Sequence, residues 1–285
     1  MAIDIDHLRT WIGRTETAED IITPRLVAEY RATLAPHLAP VANGDAPLAL
    51  NWCLTPPIAP QDGLGPDGHP ARGGFLPPVP LPRRMWAGGW IETKGALKIG
   101  ETVVRASAIE DVTLKEGRSG ALCFVTVRHG YAGSDGIVIT ERHDIVYRDP
   151  PPPSAAGQVQ AAPALSEPVQ ADLAWDVEAT PTLLFRYSAM TFNGHRIHYD
   201  EPYGTRVEGY PGLVIHGPLQ ATLLFNLAAI LGGATPRVFE YRGLAPMFAP
   251  TTFRVLGRHQ PDGSIRCWTQ DAQGRTCMEG TATAA

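Results

Sequence analysis

Tyr187-Ser-Ala-Met-Thr-Phe-Asn193-Gly-His195-Arg196-Ile-His198-Tyr-Asp200 gathers an amide, two imidazoles, a guanidinium and a carboxylate between Asn193 and Asp200. Shortly downstream, Tyr210-Pro-Gly-Leu-Val-Ile-His216-Gly217 leads into an apolar run from Pro218 to Leu231, closed by Gly232-Gly233. Proline suits the first turn of a helix and glycine its end, so this run reads as one helix. It has no polar face, and such a helix must be enclosed by other structure. The segments that follow supply the enclosure. Residues 238–248, 251–260, 264–271 and 275–283 read as strands, with Pro261-Asp262-Gly263 as a hairpin turn.

The preceding half has the same order. Thr23 caps and Pro24 opens a helix carrying Leu26, Val27, Tyr30 and Leu34 at helical spacing. Residues 43–82 are dense in Gly and Pro and read as an extended covering loop. Segments 86–97, 101–114, 121–131 and 136–148 are rich in Val, Ile, Thr and aromatics and read as an antiparallel sheet. Helix first and strands after, twice, is a weak internal repeat. Residues 149–172, rich in Pro, Ala and Gln, read as a linker between domains 1–148 and 173–285.

Composition narrows the function classes. The 285 residues, 44% hydrophobic and 19% charged, can bury a sizeable core. A formal charge of -5 offers nucleic acid no attraction, and no Lys/Arg run provides one locally. Cys53, Cys123, Cys267 and Cys277 form no Cys-x-x-Cys pair, so reduced, buried thiols are expected and no metal site is. The acidic start and the absence of an apolar run near ~20 residues lead us to expect a cytoplasmic protein without membrane attachment.

The paired stretches resemble the R-specific enoyl-CoA hydratases and MaoC-like dehydratases, whose pattern is Asp-x-Asn-Pro-x-His followed by His-Gly at the head of a helix. Within that superfamily they are most similar to the subgroup of 3-hydroxyacyl-thioester dehydratases and mesaconyl-C4-CoA hydratases, where T-F-N-x-H-R-I-H-Y-D is typical. Pro80-Leu-Pro-Arg-Arg-Met-Trp-Ala-Gly-Gly89 resembles the degenerate half of the same subgroup. The resemblance spans nearly the whole chain. It implies an α+β double hotdog, each half a long helix wrapped by an antiparallel sheet. It also implies a cofactor-free hydro-lyase acting on an acyl-CoA substrate, with the N-terminal half catalytically empty and a homodimer left open.

By the same resemblance His198 falls on the catalytic histidine, and Asn193 falls where the broader family has an aspartate. An amide cannot be a base, so Asn193 is left to orient water while His198 takes its proton. Gly217 falls where a backbone N–H meets the thioester oxygen, and Thr222 where a serine supports the carboxylate. His195, Asp200 and His216 are candidate supporting groups, against the plain alternative of structural hydrogen bonding. Trp52, Trp86 and Trp90 are expected to pack. Arg196 is the candidate for binding a substrate carboxylate, which favours mesaconyl-C4-CoA over linear acyl chains. The alternative is that Arg196 pairs with Asp200 and faces away. Competing functions are dehydration of linear 3-hydroxyacyl thioesters, thioester hydrolysis on the same fold, and non-catalytic acyl binding.

Overall fold

A computed structural model describes residues 3–117, 120–149 and 170–284. Helix α1 (Ile5–Arg9), strand β1 (Thr15–Ile21) and helix α2 (Pro24–Leu34) precede a long irregular stretch and the strands β2 (Arg83–Thr93), β3 (Thr102–Gly117), β4 (Gly120–Gly133) and β5 (Gly136–Arg148). Then come β6 (Leu173–Ala179), α3 (Pro181–Met190), α4 (Glu201–Arg206), β7 (Leu213–Val214), α5 (Gly217–Gly232), β8 (Val238–Gly243), β9 (Phe248–Ala249), β10 (Thr251–His259), β11 (Ile265–Gln270) and β12 (Thr276–Thr283). Most of the expected linker, 150–169, lies outside the described residues.

Ten strands form one sheet in the order β1-β3-β4-β5-β2-β8-β12-β11-β10-β6, and β7 pairs separately with β9. The two halves join where β2 runs antiparallel to β8, from Gly88 opposite Arg242 to Glu92 opposite Val238. The approach there is close. A Cβ on Gly88 would lie 2.5 Å from the Tyr241 carbonyl oxygen, which only glycine permits.

Helix α5 packs on β8, β10, β11 and β12, as its apolar circumference requires. Its buried polar residues are satisfied: Gln220 Oε1 accepts from Thr269 at 2.7 Å, and Asn226 Oδ1 accepts from the Ala39 N–H at 2.9 Å. Gly257 on β10 lets the helix approach, since a Cβ there would meet Leu227.

The expectation of a long helix in each half is corrected. α5 has 16 residues, whereas α2 has 11 and stops at Ala35 because Pro36 forces the preceding residue into extended backbone. The structure also shows what α2 repeats. Thr23 caps α2 by accepting from the Leu26 N–H, and Thr180 caps α3 by accepting from the Leu183 N–H, each before a proline and after a strand, β1 or β6. α2 therefore corresponds to α3. No regular helix corresponds to α5 among the described N-terminal residues, because Gly- and Pro-dense sequence occupies that place. α2 packs on α3 and shares one apolar core with α5. A second cluster around Ile109, Val125 and Tyr147 lies under α1 and residues 75–81. All four cysteines are free and buried. No helix among the described residues is long and apolar enough to cross a membrane.

Candidate active site

Helix α3 ends at Thr191, and Phe192 turns the chain with a positive φ of 49°. Asn193 then accepts from the His195 N–H at 3.0 Å through Oδ1, closing an Asx-type turn. A single 3₁₀ turn, Arg196–His198, follows. Residues three apart eclipse in such a turn, so His195 and His198 lie on one side with their rings 5.4 Å apart. Ile197, between them, is buried.

His198 is held on two sides. Its Nδ1 lies 2.7 Å from the Val214 carbonyl oxygen, and its ring stacks on His216 at 3.7 Å with planes 16° apart. A carbonyl only accepts, so Nδ1 carries the hydrogen and Nε2 is the free basic nitrogen. Burial pushes the His198 pKa down to about 4, so the ring is neutral at pH 7. His216, wholly buried before α5, meets Ser188 Oγ at 2.8 Å through Nε2; burial keeps its pKa far below the ordinary value too. It buttresses His198.

Gly217 is the first residue of α5 and lines the cavity next to Trp86, whose Cβ would lie 3.6 Å from a Cβ built on the glycine. N–H groups of a first helical turn have no partner within the helix. Thr222 does not support Asn193: fully buried and well inside the helix, it meets the Tyr187 hydroxyl at 3.4 Å.

Arg196 is not free for substrate. Its Nε and Nη2 donate to Asp200 Oδ2 at 3.0 and 2.8 Å, Nη1 donates to the Pro66 carbonyl, and the guanidinium lies 4.0 Å over the Tyr203 ring. The i,i+4 spacing brings Arg196 and Asp200 together, and Asp200 also caps α4 by accepting from the Tyr203 N–H. This pair fixes the loop: Arg196 pairs with Asp200 as the alternative had it, although it still borders the cavity rather than facing away.

A cavity of ≈ 1730 Å³ opens over these residues and runs into the N-terminal half. Asp67 and His69, on the covering loop, are functional candidates the sequence reading missed. His69 Nδ1 lies 3.0 Å from Asp67 Oδ2, and its ring packs 4.1 Å from His195. The loop is clasped to the motif by the Arg196 N–H donating to the Asp67 carbonyl at 2.9 Å. Burial lowers the His69 pKa to about 4 and also lowers that of His195. Burial alone would raise the Asp67 carboxyl, but its hydrogen bonds to His69 outweigh this and hold it below the usual range. Asp67, His69 and His195 each place one donor atom within 4.8 Å of the others, a set with the chemistry of metal ligands. The Asp-x-His spacing was visible in the sequence, but nothing local announced that the loop would close on a distant motif.

The N-terminal half is not empty of polar groups. Glu141 is buried, its Oε1 accepting from Trp52 Nε1 at 3.0 Å, and burial raises its pKa to about 7. Trp86 donates to the Tyr241 hydroxyl at 3.2 Å and Trp90 lies under Arg128, but Trp52 and Trp86 also line the cavity.

Residues 49–249 match the family model described as hydroxyacyl-thioester dehydratase type 2. The mesaconyl-C(4)-CoA hydratase of Chloroflexus aurantiacus is 44% identical over 273 residues, 95% of each chain. HtdX of Mycobacterium tuberculosis superposes with a TM-score of 0.66 at 17% identity, covering 95% of this chain and 100% of its own. A second M. tuberculosis protein, described as having a double hotdog fold, superposes with a TM-score of 0.56 at 14% identity, over 98% and 96% of the two chains. The ten-stranded sheet around α5 is thus a double hotdog, and the chain belongs to the hydroxyacyl-thioester dehydratase type 2 family.

Proposed function

We propose that the protein adds water reversibly across the double bond of a 2-enoyl-CoA thioester, with mesaconyl-C4-CoA, hydrated to citramalyl-CoA, as its substrate. One observation carries the reading: His198 presents a neutral Nε2 at the cavity, its tautomer set by the Val214 carbonyl. The 44% identity to a mesaconyl-C(4)-CoA hydratase supports the same substrate.

Water is held by Asn193 and by His198 Nε2. Its oxygen bonds to the β-carbon, its proton passes to Nε2, and the double-bond electrons move toward the thioester oxygen, which accepts from the Gly217 N–H. The α-carbon then takes a proton from the protonated His198 Nε2, which returns the ring to its neutral form, and dehydration is the reverse. A histidine with a pKa near 4 is always in its basic form at pH 7 but is intrinsically weak. Charge developing on the thioester oxygen drives its protonation, and a preorganised helix-terminal N–H contributes about 3 kcal/mol to stabilising that charge. His69, oriented by Asp67, is the group in the same cavity best fitted to assist the proton's return.

Hydrolysis of the thioester is the competing reaction of the fold. Purified protein incubated with mesaconyl-C4-CoA should yield an ester heavier by one water without free thiol. Release of stoichiometric CoA instead would overturn the assignment.

A further inference from the structure

With Arg196 committed to Asp200, the cavity needs another cation if it is to receive a carboxylate, and β2 supplies two arginines of opposite fate. Arg83 is buried and paired: Nε lies 3.1 Å from Glu208 Oε2, the guanidinium also donates to the Glu208 carbonyl, and it lies 4.8 Å from the Tyr210 ring centroid. Its neighbour Arg84 lines the same cavity and is less deeply buried, and no carboxylate among the described residues pairs with it.

The residue directly across from Arg84 on β5 is Tyr147. Directly opposed residues share a face of the sheet, and Tyr147 lines the same cavity. Its side chain is fully buried, its hydroxyl lies against the Arg84 guanidinium, and no described residue accepts the hydroxyl's hydrogen. Orphaned buried hydroxyls are costly, so this one marks a position where a ligand acceptor belongs. The wall behind the pair is built. Arg72 lies 5.5 Å over the Tyr147 ring while its own N–H groups donate to the carbonyls of Val79, Leu81 and Pro82, so it stays in place without competing for an anion.

Arg84 lines the same cavity as His69, His195 and His198. It therefore belongs to the chamber that holds the reactive imidazoles. We infer that Arg84 and Tyr147 form an anion subsite, contributed by the N-terminal half, that receives the free carboxylate of a dicarboxylyl thioester. The guanidinium fork matches a carboxylate and the phenol adds a third donor. The inference deepens the hydratase reading and rests on it. In mesaconyl-C4-CoA the carboxylate is attached to the carbon that receives water, so the subsite would fix the reacting end as well as select it.

Phosphate groups of CoA share this anionic chemistry, and the test separates the two sources. Wild type, Arg84→Met and Tyr147→Phe are assayed as full chains on mesaconyl-C4-CoA and crotonyl-CoA, with binding of free CoA measured by calorimetry and folding by thermal melting. The expected result is a fall of about 100-fold in the mesaconyl-to-crotonyl ratio of kcat/KM for Arg84→Met, about 10-fold for Tyr147→Phe, and partial recovery with Arg84→Lys. Weakened binding of free CoA, with both esters losing rate equally, would assign Arg84 to the phosphates and overturn the inference. An unchanged ratio would overturn it as well, while wild-type turnover of both esters left the hydratase reading standing. A wild type inactive on both would remove the two together.

Discussion

At the scale of single residues, the chemistry turns on which nitrogen of His198 is free. The Val214 carbonyl answers this, and burial keeps the ring neutral, with a pKa pushed down to about 4. A neutral base predicts that kcat/KM for hydration is flat from about pH 6 upward and falls only as pH drops toward about 4; an acid limb centred near the ordinary histidine value would contradict it. Asn193 spends one lone pair of Oδ1 on the His195 N–H and can still accept from water. Asn193→Asp preserves that geometry and should retain activity within about 10-fold, whereas Asn193→Ala loses both turn and water contact and should cost about 100-fold or more, read as steady-state kcat. Arg196→Lys should lower thermal stability by about 1 kcal/mol through the lost fork and ring contact while leaving the mesaconyl-to-crotonyl preference near wild type. The motif's residues were legible in the sequence because eclipsing in a short turn is a local property. What Arg196 touches was not, since Pro66 arrives from a loop 130 residues away.

At the scale of elements, α5 and the strands around it were readable because a helix apolar on all sides admits one environment. The strand β1 was not. Its Thr-Glu-Thr-Ala-Glu-Asp-Ile sequence is acidic and alternates between exposed and half-buried positions at a sheet edge, so pairing with β3 alone defines it. The two Thr-Pro helix starts at 23–24 and 180–181 were a repeat signal in plain view, and reading them together would have matched α2 to α3. The seam between β2 and β8 depends on Gly88, where a Cβ would meet backbone atoms of Tyr241 and Arg242 at 2.5 and 3.2 Å. Gly88→Ala should therefore destabilise the fold by about 2–4 kcal/mol in denaturant titration. Gly130→Ala, whose Cβ would meet only Ile137 at an ordinary 3.7 Å, serves as the control expected to change little. Equal stability of the two variants would contradict this account of the seam.

At the scale of the whole molecule, the joined halves bury an unusual set of imidazoles: His69, His129, His143, His195, His198 and His216 all have pKa values lowered, in each case chiefly by burial. The unfolded chain binds protons at these positions below about pH 6.5 while the folded chain does not, so stability is lost as pH falls through that value toward about 4. Glu141, raised to about 7 by burial, works in the opposite direction, losing stability as pH rises from about 4.5 to 7, but it is one group against seven imidazoles, since burial lowers His37 as well. Melting temperatures measured between pH 8 and pH 4.5 should fall steeply below pH 6.5, and a flat profile would mean that the histidines are hydrated rather than buried. Composition and patterning disclosed the two-part architecture, but a cavity assembled from both halves is a property of the joined sheet, which is why Asp67, His69, Arg84 and Tyr147 did not stand out in the sequence. The central claim is that His198 draws the proton from water in hydrating an enoyl thioester. Its most direct test is the rate at which the purified chain converts mesaconyl-C4-CoA, in deuterated water, to a product carrying one added water and one deuterium on the α-carbon. Wild type should form that product, and a folded His198→Ala variant should form it at least about 100-fold more slowly; a folded His198→Ala variant forming it at a near wild-type rate would contradict the account.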